Sequence, residues 1–183
     1  MKFQYKLASL IWGIFLLSFG QLCGQDKVKG PVIVDYGDTF SIPSPDLIWS
    51  VEEDLNLIFD ITAMNENTAL VSAQINTLAR CINMHANTGL SKEKMNIVAV
   101  FHSTGTYSVI NDKSYRTRYG SSNPNSGLLK ILSDLGVELY VCGQSLYSRD
   151  VDPEHLHPSI KIALSAMTVL AKYQSKGYSV IKF

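Results

Sequence analysis

Cys142 stands at the end of the apolar run Val137-Glu138-Leu139-Tyr140-Val141 and is followed by Gly143, Gln144 and Ser145. In an open sheet with helical crossovers, ligands bind outside the carboxyl ends of the strands, so a thiol on the last strand residue faces a crevice. Gly143 lets the backbone turn without a Cβ penalty and leaves room for something to approach the sulfur. Two other apolar runs end in polar residues, one on Asp60 and Thr62 and one on His102-Ser103-Thr104-Gly105. Parallel strands point their carboxyl ends the same way, so these three ends converge on one sheet edge. A histidine near a cysteine lowers the thiol pKa and makes a nucleophilic thiolate, and backbone amides at glycine turns hold an anionic group. The candidate catalytic residues are therefore Cys142 and His102, and the candidate ligand-binding residues are Asp60, Ser103, Thr104, Gly143, Gln144 and Ser145. The competing possibility is that the polar residues only cap the sheet around an inert buried thiol.

Other chemistries find less support. His85, His102, His155 and His157 make no metal-ligand spacing, so no metal site is expected. Arg116 and Arg118 lie between tyrosines and suit an oxyanion, a partner chain or simple solvation. No Gly-x-Gly-x-x-Gly follows a strand and no phosphate loop is present, so no cofactor is expected; a Gly-x-Ser-x-Gly elbow is also missing. Sixteen basic residues balance sixteen acidic ones. The resulting pI near 6.9 gives no electrostatic reason for nucleic acid or an anionic membrane as a partner.

The elements that must position these residues follow from periodicity. Leu55–Thr62 and Asn96–Phe101 are apolar, β-branched strand signals, the second continuous enough to be buried on both faces of a parallel sheet. Between them, Val71, Ile75, Leu78 and Ile82 form the stripe of a helix capped by Asn67 or Thr68 and ended at Gly89, with Cys81 beside the stripe as a core residue. A short helix over Tyr107–Asn111 and an ordered loop through Ser122 are expected next. Asn123-Pro124 opens a helix with Leu128, Leu132 and Leu135 buried, and Gly136 stops it before the strand that ends on Cys142. Ile160, Leu164, Met167, Leu170 and Ala171 predict one helix from Pro158 to about Ser175, and Tyr178–Phe183 closes the chain as a strand. The alternation of strand and helix, without hairpin signals, gives one α/β domain with a parallel sheet over residues 51–183.

Residues 1–24 read as a signal peptide: Lys2 and Lys6 precede an apolar run, Leu7–Leu17, too short to span a bilayer comfortably. Leu22 before Cys23 argues against a lipidated cysteine, and an uncleaved anchor is the other possibility. Residues 25–50 form an arm, with a short strand allowed at Val32-Ile33-Val34 and an extended stretch around Pro43 and Pro45. Export to the periplasm leaves Cys81 and Cys142 in a compartment where disulfides persist, and whether they pair stays open.

Asn96–His102, Asn123-Pro124-Asn125, Gly136–Ser145, Ala163–Met167 and Gln174-Ser175-Lys176-Gly177-Tyr178 resemble the exported branch of the DsrE/DsrF-like sulfur-relay family. The resemblance covers roughly residues 50 to 183. It implies a three-layer α/β/α domain with a mainly parallel sheet of about five strands, assembled as a homo-oligomer, a trimer or hexamer. It further implies a sulfurtransferase-like relay in which Cys142 accepts sulfane sulfur as a persulfide, with a sulfur donor or acceptor protein as partner. Relay members of the family work as complexes of distinct subunits in the cytosol, unlike an exported chain with no membrane attachment after leader cleavage. The alternative is a non-catalytic oligomeric module of the same fold that binds a small ligand or serves structure.

Overall fold

Residues 27–183 are described by the computed structural model; the leader expected at residues 1–24 lies outside them. Two short strands, β1 (Lys27–Val28) and β2 (Thr39–Phe40), pair antiparallel ahead of the main sheet. The chain then runs through β3 (Leu55–Ile61), α1 (Ala73–Asn87), β4 (Met95–Phe101), a 3-10 segment (Ser103–Val109), α2 (Asp112–Tyr119), α3 (Ser126–Asp134), β5 (Glu138–Cys142), α4 (Gly143–Ser148), β6 (Lys161–Ala163), α5 (Ala166–Gln174) and β7 (Ser179–Lys182). The sheet order is β6-β5-β4-β3-β7, with every neighbouring pair parallel.

Side chains alternate across a strand, and here the two sets meet different layers. Leu57, Phe59 and Ile61 with Ile97, Ala99 and Phe101 pack against Ile75, Leu78 and Ile82 of α1 and Leu128 and Leu132 of α3. The intervening residues Ile58, Val98, Val100 and Cys142 meet Ala166, Val169 and Tyr173 of α5. Helices thus cover both faces, which is why the central strands are apolar without interruption and why the domain has three layers.

Several elements differ from the sequence expectation. The α1 cap is Ser72, whose hydroxyl accepts from the Ile75 amide, because Asn65 and Asn67 are engaged in local turns with the Asn67 and Ala69 amides. The stretch expected to be a loop contains α2, capped by the Asn111 side chain and ended by Gly120 in the left-handed region (φ 80°). Its Tyr115 is buried and donates to the Thr68 carbonyl at 2.8 Å. The single helix expected from Pro158 is instead β6 followed by α5. Residues 161–163 hydrogen-bond to the open edge of β5, and Ser165 caps a helix starting at Ala166. Leu164 and Met167 are accordingly 73% and 77% exposed instead of lying on a buried stripe.

Val32-Ile33-Val34 is not a strand. Ile33 is buried against the sheet's larger core, and the arm is tied to α1 by the fully buried Asn83. Its Oδ1 accepts from the Ile33 amide at 2.9 Å, and its Nδ2 donates to the carbonyls of Ile33, Tyr36 and Gly37 at 2.9, 3.0 and 3.1 Å. Asn83→Ala leaves these backbone groups without partners. A loss of roughly 2–4 kcal/mol is expected in urea unfolding, with faster proteolytic nicking of residues 41–50.

Candidate functional site

Cys142 ends β5 and occupies the cap position of α4, where its side chain makes no cap hydrogen bond. Gly143 has a second role beyond the turn. A Cβ there would stand 2.8 Å from the Ala163 carbonyl oxygen, so only glycine lets the end of β6 close onto the start of α4. That closure brings the first residue of α5 to the sulfur. The Ser145 hydroxyl and the amides of Ser145, Ala166 and Gln144 are the donors that favour the charged form of Cys142 Sγ. Burial pushes the thiol up, but these four donors more than offset it, and Cys142 titrates below an ordinary cysteine. The residue is only 5% exposed, so reagents must reach the sulfur through a narrow opening.

Ser145 is itself aimed. Its Oγ accepts from the Ser103 amide at 3.2 Å, which leaves the hydroxyl proton for the sulfur. Ser103 is held in the left-handed region at φ 53°, unusual for a residue with a Cβ. Its own Oγ accepts from Arg149 Nη2 at 3.2 Å. The chain of contacts therefore runs from a guanidinium through Ser103 and Ser145 to the thiol.

His102 continues β4, its amide donating to the Ile61 carbonyl at 3.0 Å. The register pairs Phe101 with Val141, so His102 and Cys142 follow at the same level on adjacent strands, about 4.8 Å apart in backbone spacing. The hydrogen-bond donors to the sulfur do not include the imidazole. His102 Nε2 lies 2.6 Å from Oδ1 of the buried Asp60, and Lys182 Nζ lies 3.4 Å from Oδ2. With a carboxylate on Nε2 that nitrogen carries the proton, and Nδ1 is the basic one. Thr104 Oγ1 donates to the Thr62 carbonyl at 3.3 Å, bracing the turn, and Gln144 Nε2 reaches the Leu164 carbonyl at 3.5 Å. Of the sequence candidates, Cys142, Gln144, Ser145 and Ser103 thus form one group and Asp60 and His102 a second beside it.

Arg149, the Ala166 amide and Lys182 went unrecognised in the sequence. The first two depend on α4 and on the true start of α5, and Lys182 depends on β7 pairing beside Asp60. Cys81 and Cys142 are both free thiols. Burial pushes Cys81 up to about 11, which suits a core residue and not a nucleophile. Among the described residues no group of three or more His, Cys, Asp and Glu side chains is arranged to hold a metal ion.

The family model described as DsrE/DsrF-like matches residues 58–183. The chain belongs to the DsrE/DsrF-like family. That membership brings with it a role related to sulfur relay. A search of curated proteins finds no match. Among solved structures, the protein of unknown function MTH1491 from Methanobacterium thermoautotrophicum is similar at 21% identity and a TM-score of 0.55, covering 71% of this chain and all of that one. The ychN protein of E. coli aligns at 14% identity and a TM-score of 0.49, over 70% of this chain and 99% of its own. The first likeness supports the fold, a five-stranded parallel sheet between helices.

Removing the Ser145 hydroxyl takes away a donor to the sulfur. In Ser145→Ala the midpoint of Cys142 alkylation against pH shifts upward, and the rate at neutral pH falls severalfold, measured by peptide-resolved mass spectrometry. An unchanged midpoint would remove Ser145 from the site.

Proposed function

We propose that this protein is a sulfurtransferase-like carrier that accepts sulfane sulfur on Cys142. The observation that supports it is the set of donors at the carboxyl edge of the sheet, the Ser145 hydroxyl and three amides, that lowers the Cys142 thiol below an ordinary cysteine. The thiolate attacks the sulfane sulfur of a donor, an Sγ–S bond forms, and the donor's own S–S bond breaks with its electron pair leaving on the donor. An acceptor thiolate then attacks the outer sulfur of the persulfide, and Cys142 leaves as the thiolate it began as. Where the donor is itself a persulfide R–S–SH, its outer sulfur passes to Cys142 with its proton and the donor departs as its own thiolate, beside the His102 ring that Asp60 orients.

Two further parts of the reading concern context. The leader pattern of residues 1–24 supports export to the periplasm, with the arm and domain as the mature protein. Ile162, Leu164 and Met167 leave apolar surface exposed beside the open edge of β6, close to Gly143. That surface supports a homo-oligomer or a docked donor or acceptor protein. A ligand-binding module is the second reading, favoured by a cleft of about 440 Å³ lined by Lys113, Ser114, Thr117, Arg118, Asp150 and His155, a lining that does not include Cys142.

Native mass spectrometry of the reduced protein after exposure to thiosulfate or a low-molecular-weight persulfide tests the reading. A gain of sulfur removed by reductant and absent in Cys142→Ser is expected, with the subunit number visible in the same spectrum. No gain on an accessible Cys142 would contradict the carrier role and turn attention to the cleft.

A further inference from the structure

Arg149 has a guanidinium whose hydrogen-bonding capacity is mostly unspent. Nη2 donates to Ser103 Oγ, but Nε is shut away from solvent and has no acceptor. Among the described residues it forms no salt bridge with a carboxylate. A second cation crowds the same place. The Arg118 guanidinium carbon sits 4.1 Å from the centroid of the Tyr107 ring and that of Arg149 5.9 Å from the same centroid. Neither arginine forms a salt bridge with a carboxylate, although Asp150 lines the same cleft as Arg118, so two guanidinium groups gather at one aromatic ring without a direct ion-pair partner. A buried N–H without an acceptor carries a desolvation cost, and an anion is the partner that relieves both the cost and the repulsion.

The position of this charge relative to the thiol defines what the anion would be. Arg149 touches Ser103, and the Ser103 amide binds the hydroxyl that binds Cys142 Sγ. The guanidinium is therefore linked to the sulfur through two side chains, Ser103 and Ser145, which puts the cation on the same side of the sheet edge as the thiol. Ser103 is kept in its left-handed conformation (φ 53°) at the midpoint of that span, and this geometry turns its amide to one side of the link and its hydroxyl to the other.

We propose that Arg149 and Ser103 form a subsite for the oxyanion end of a small sulfonate-type sulfur donor, of which thiosulfate is the simplest, whose sulfane sulfur meets Cys142. This rests on the carrier reading of Cys142 and adds the class of donor. The Cys142 thiolate attacks the sulfane sulfur. The new bond is Sγ–S, and the bond that breaks joins the sulfane sulfur to the sulfonate sulfur. Its electron pair departs with sulfite, held at Arg149, and the persulfide remains as the anion. Charge balances, no proton moves, and no outside oxidant or reductant enters.

The test compares two alkylating reagents of the same size and leaving group, anionic iodoacetate and neutral iodoacetamide, on the full-length reduced protein. In the wild type, the iodoacetate-to-iodoacetamide rate ratio at Cys142 exceeds that of Arg149→Gln by roughly tenfold, Arg149→Lys lies between, and added sulfite slows the wild-type alkylation. The same ratio in wild type and Arg149→Gln overturns the subsite, and so does sulfite slowing both proteins equally. If Arg149→Gln does not fold, the wild type alone decides, because absence of sulfite protection overturns the proposal. The alkylation ratio needs no sulfur transfer. An anion preference without sulfur loading would thus refute the carrier reading and keep the subsite, and loading without the preference would do the reverse.

Discussion

The donors that favour a Cys142 thiolate come from two different helices, and the local architecture depends on bringing those helices together. The amides of Gln144 and Ser145 belong to α4, which β5 feeds directly, while the Ala166 amide belongs to α5, which enters from the edge strand β6. The two helix starts meet because Gly143 has no Cβ to hold the Ala163 carbonyl away. Any side chain at that position would force β6 outward and take the α5 amide with it. Amides at helix N-termini are fixed donors that favour an anion, so the thiolate is stabilised by backbone that does not have to reorganise when it forms.

Beside the thiol lies a row of charge that is neutralised within the sheet. Asp60 is 3% exposed on β3, which lies between β4 and β7, and is bracketed by His102 just after β4 and Lys182 from β7. A carboxylate buried to that extent would be costly alone, and its two cationic or hydrogen-bonding neighbours offset that cost. The same contact fixes the imidazole orientation at the level of Cys142. The thiol and the imidazole therefore have separate supports, with Ser145 and the amides holding one and Asp60 the other. Between Arg149 and the thiol, Ser103 concentrates the backbone strain of the site in one residue.

Much of this was legible in the sequence where side-chain pattern and local chemistry agree. The strands β3, β4 and β5 and most of the stripes of α1 and α3 follow from apolar periodicity because Ile75, Leu78, Ile82, Leu128 and Leu132 are buried, while Val71 and Leu135 fall just outside the two helices. The convergence of Cys142, Ser145 and Ser103 follows from parallel strands alone. Reading failed where a nonlocal contact overrode a local pattern. Ile160, Leu164 and Met167 fall at helical spacing, yet the open edge of β5 captures residues 161–163 as a strand and leaves Leu164 and Met167 outside. The polar composition of Asp112–Tyr119 concealed a helix that is anchored by one buried tyrosine and by capping at both ends. Arg149 was invisible for the same reason: its importance lies in what it touches, forty-six positions away in sequence.

The central claim is that this fold lowers the Cys142 thiol below an ordinary cysteine while leaving Cys81 an inert core thiol. A pH titration followed by NMR of isotope-labelled cysteine Cβ shifts resolves each thiol separately. The account predicts that Cys142 ionises below an ordinary cysteine while Cys81 remains a thiol until about 11. A Cys142 that titrates at or above the ordinary value would show that burial outweighs its four donors, and would contradict the account.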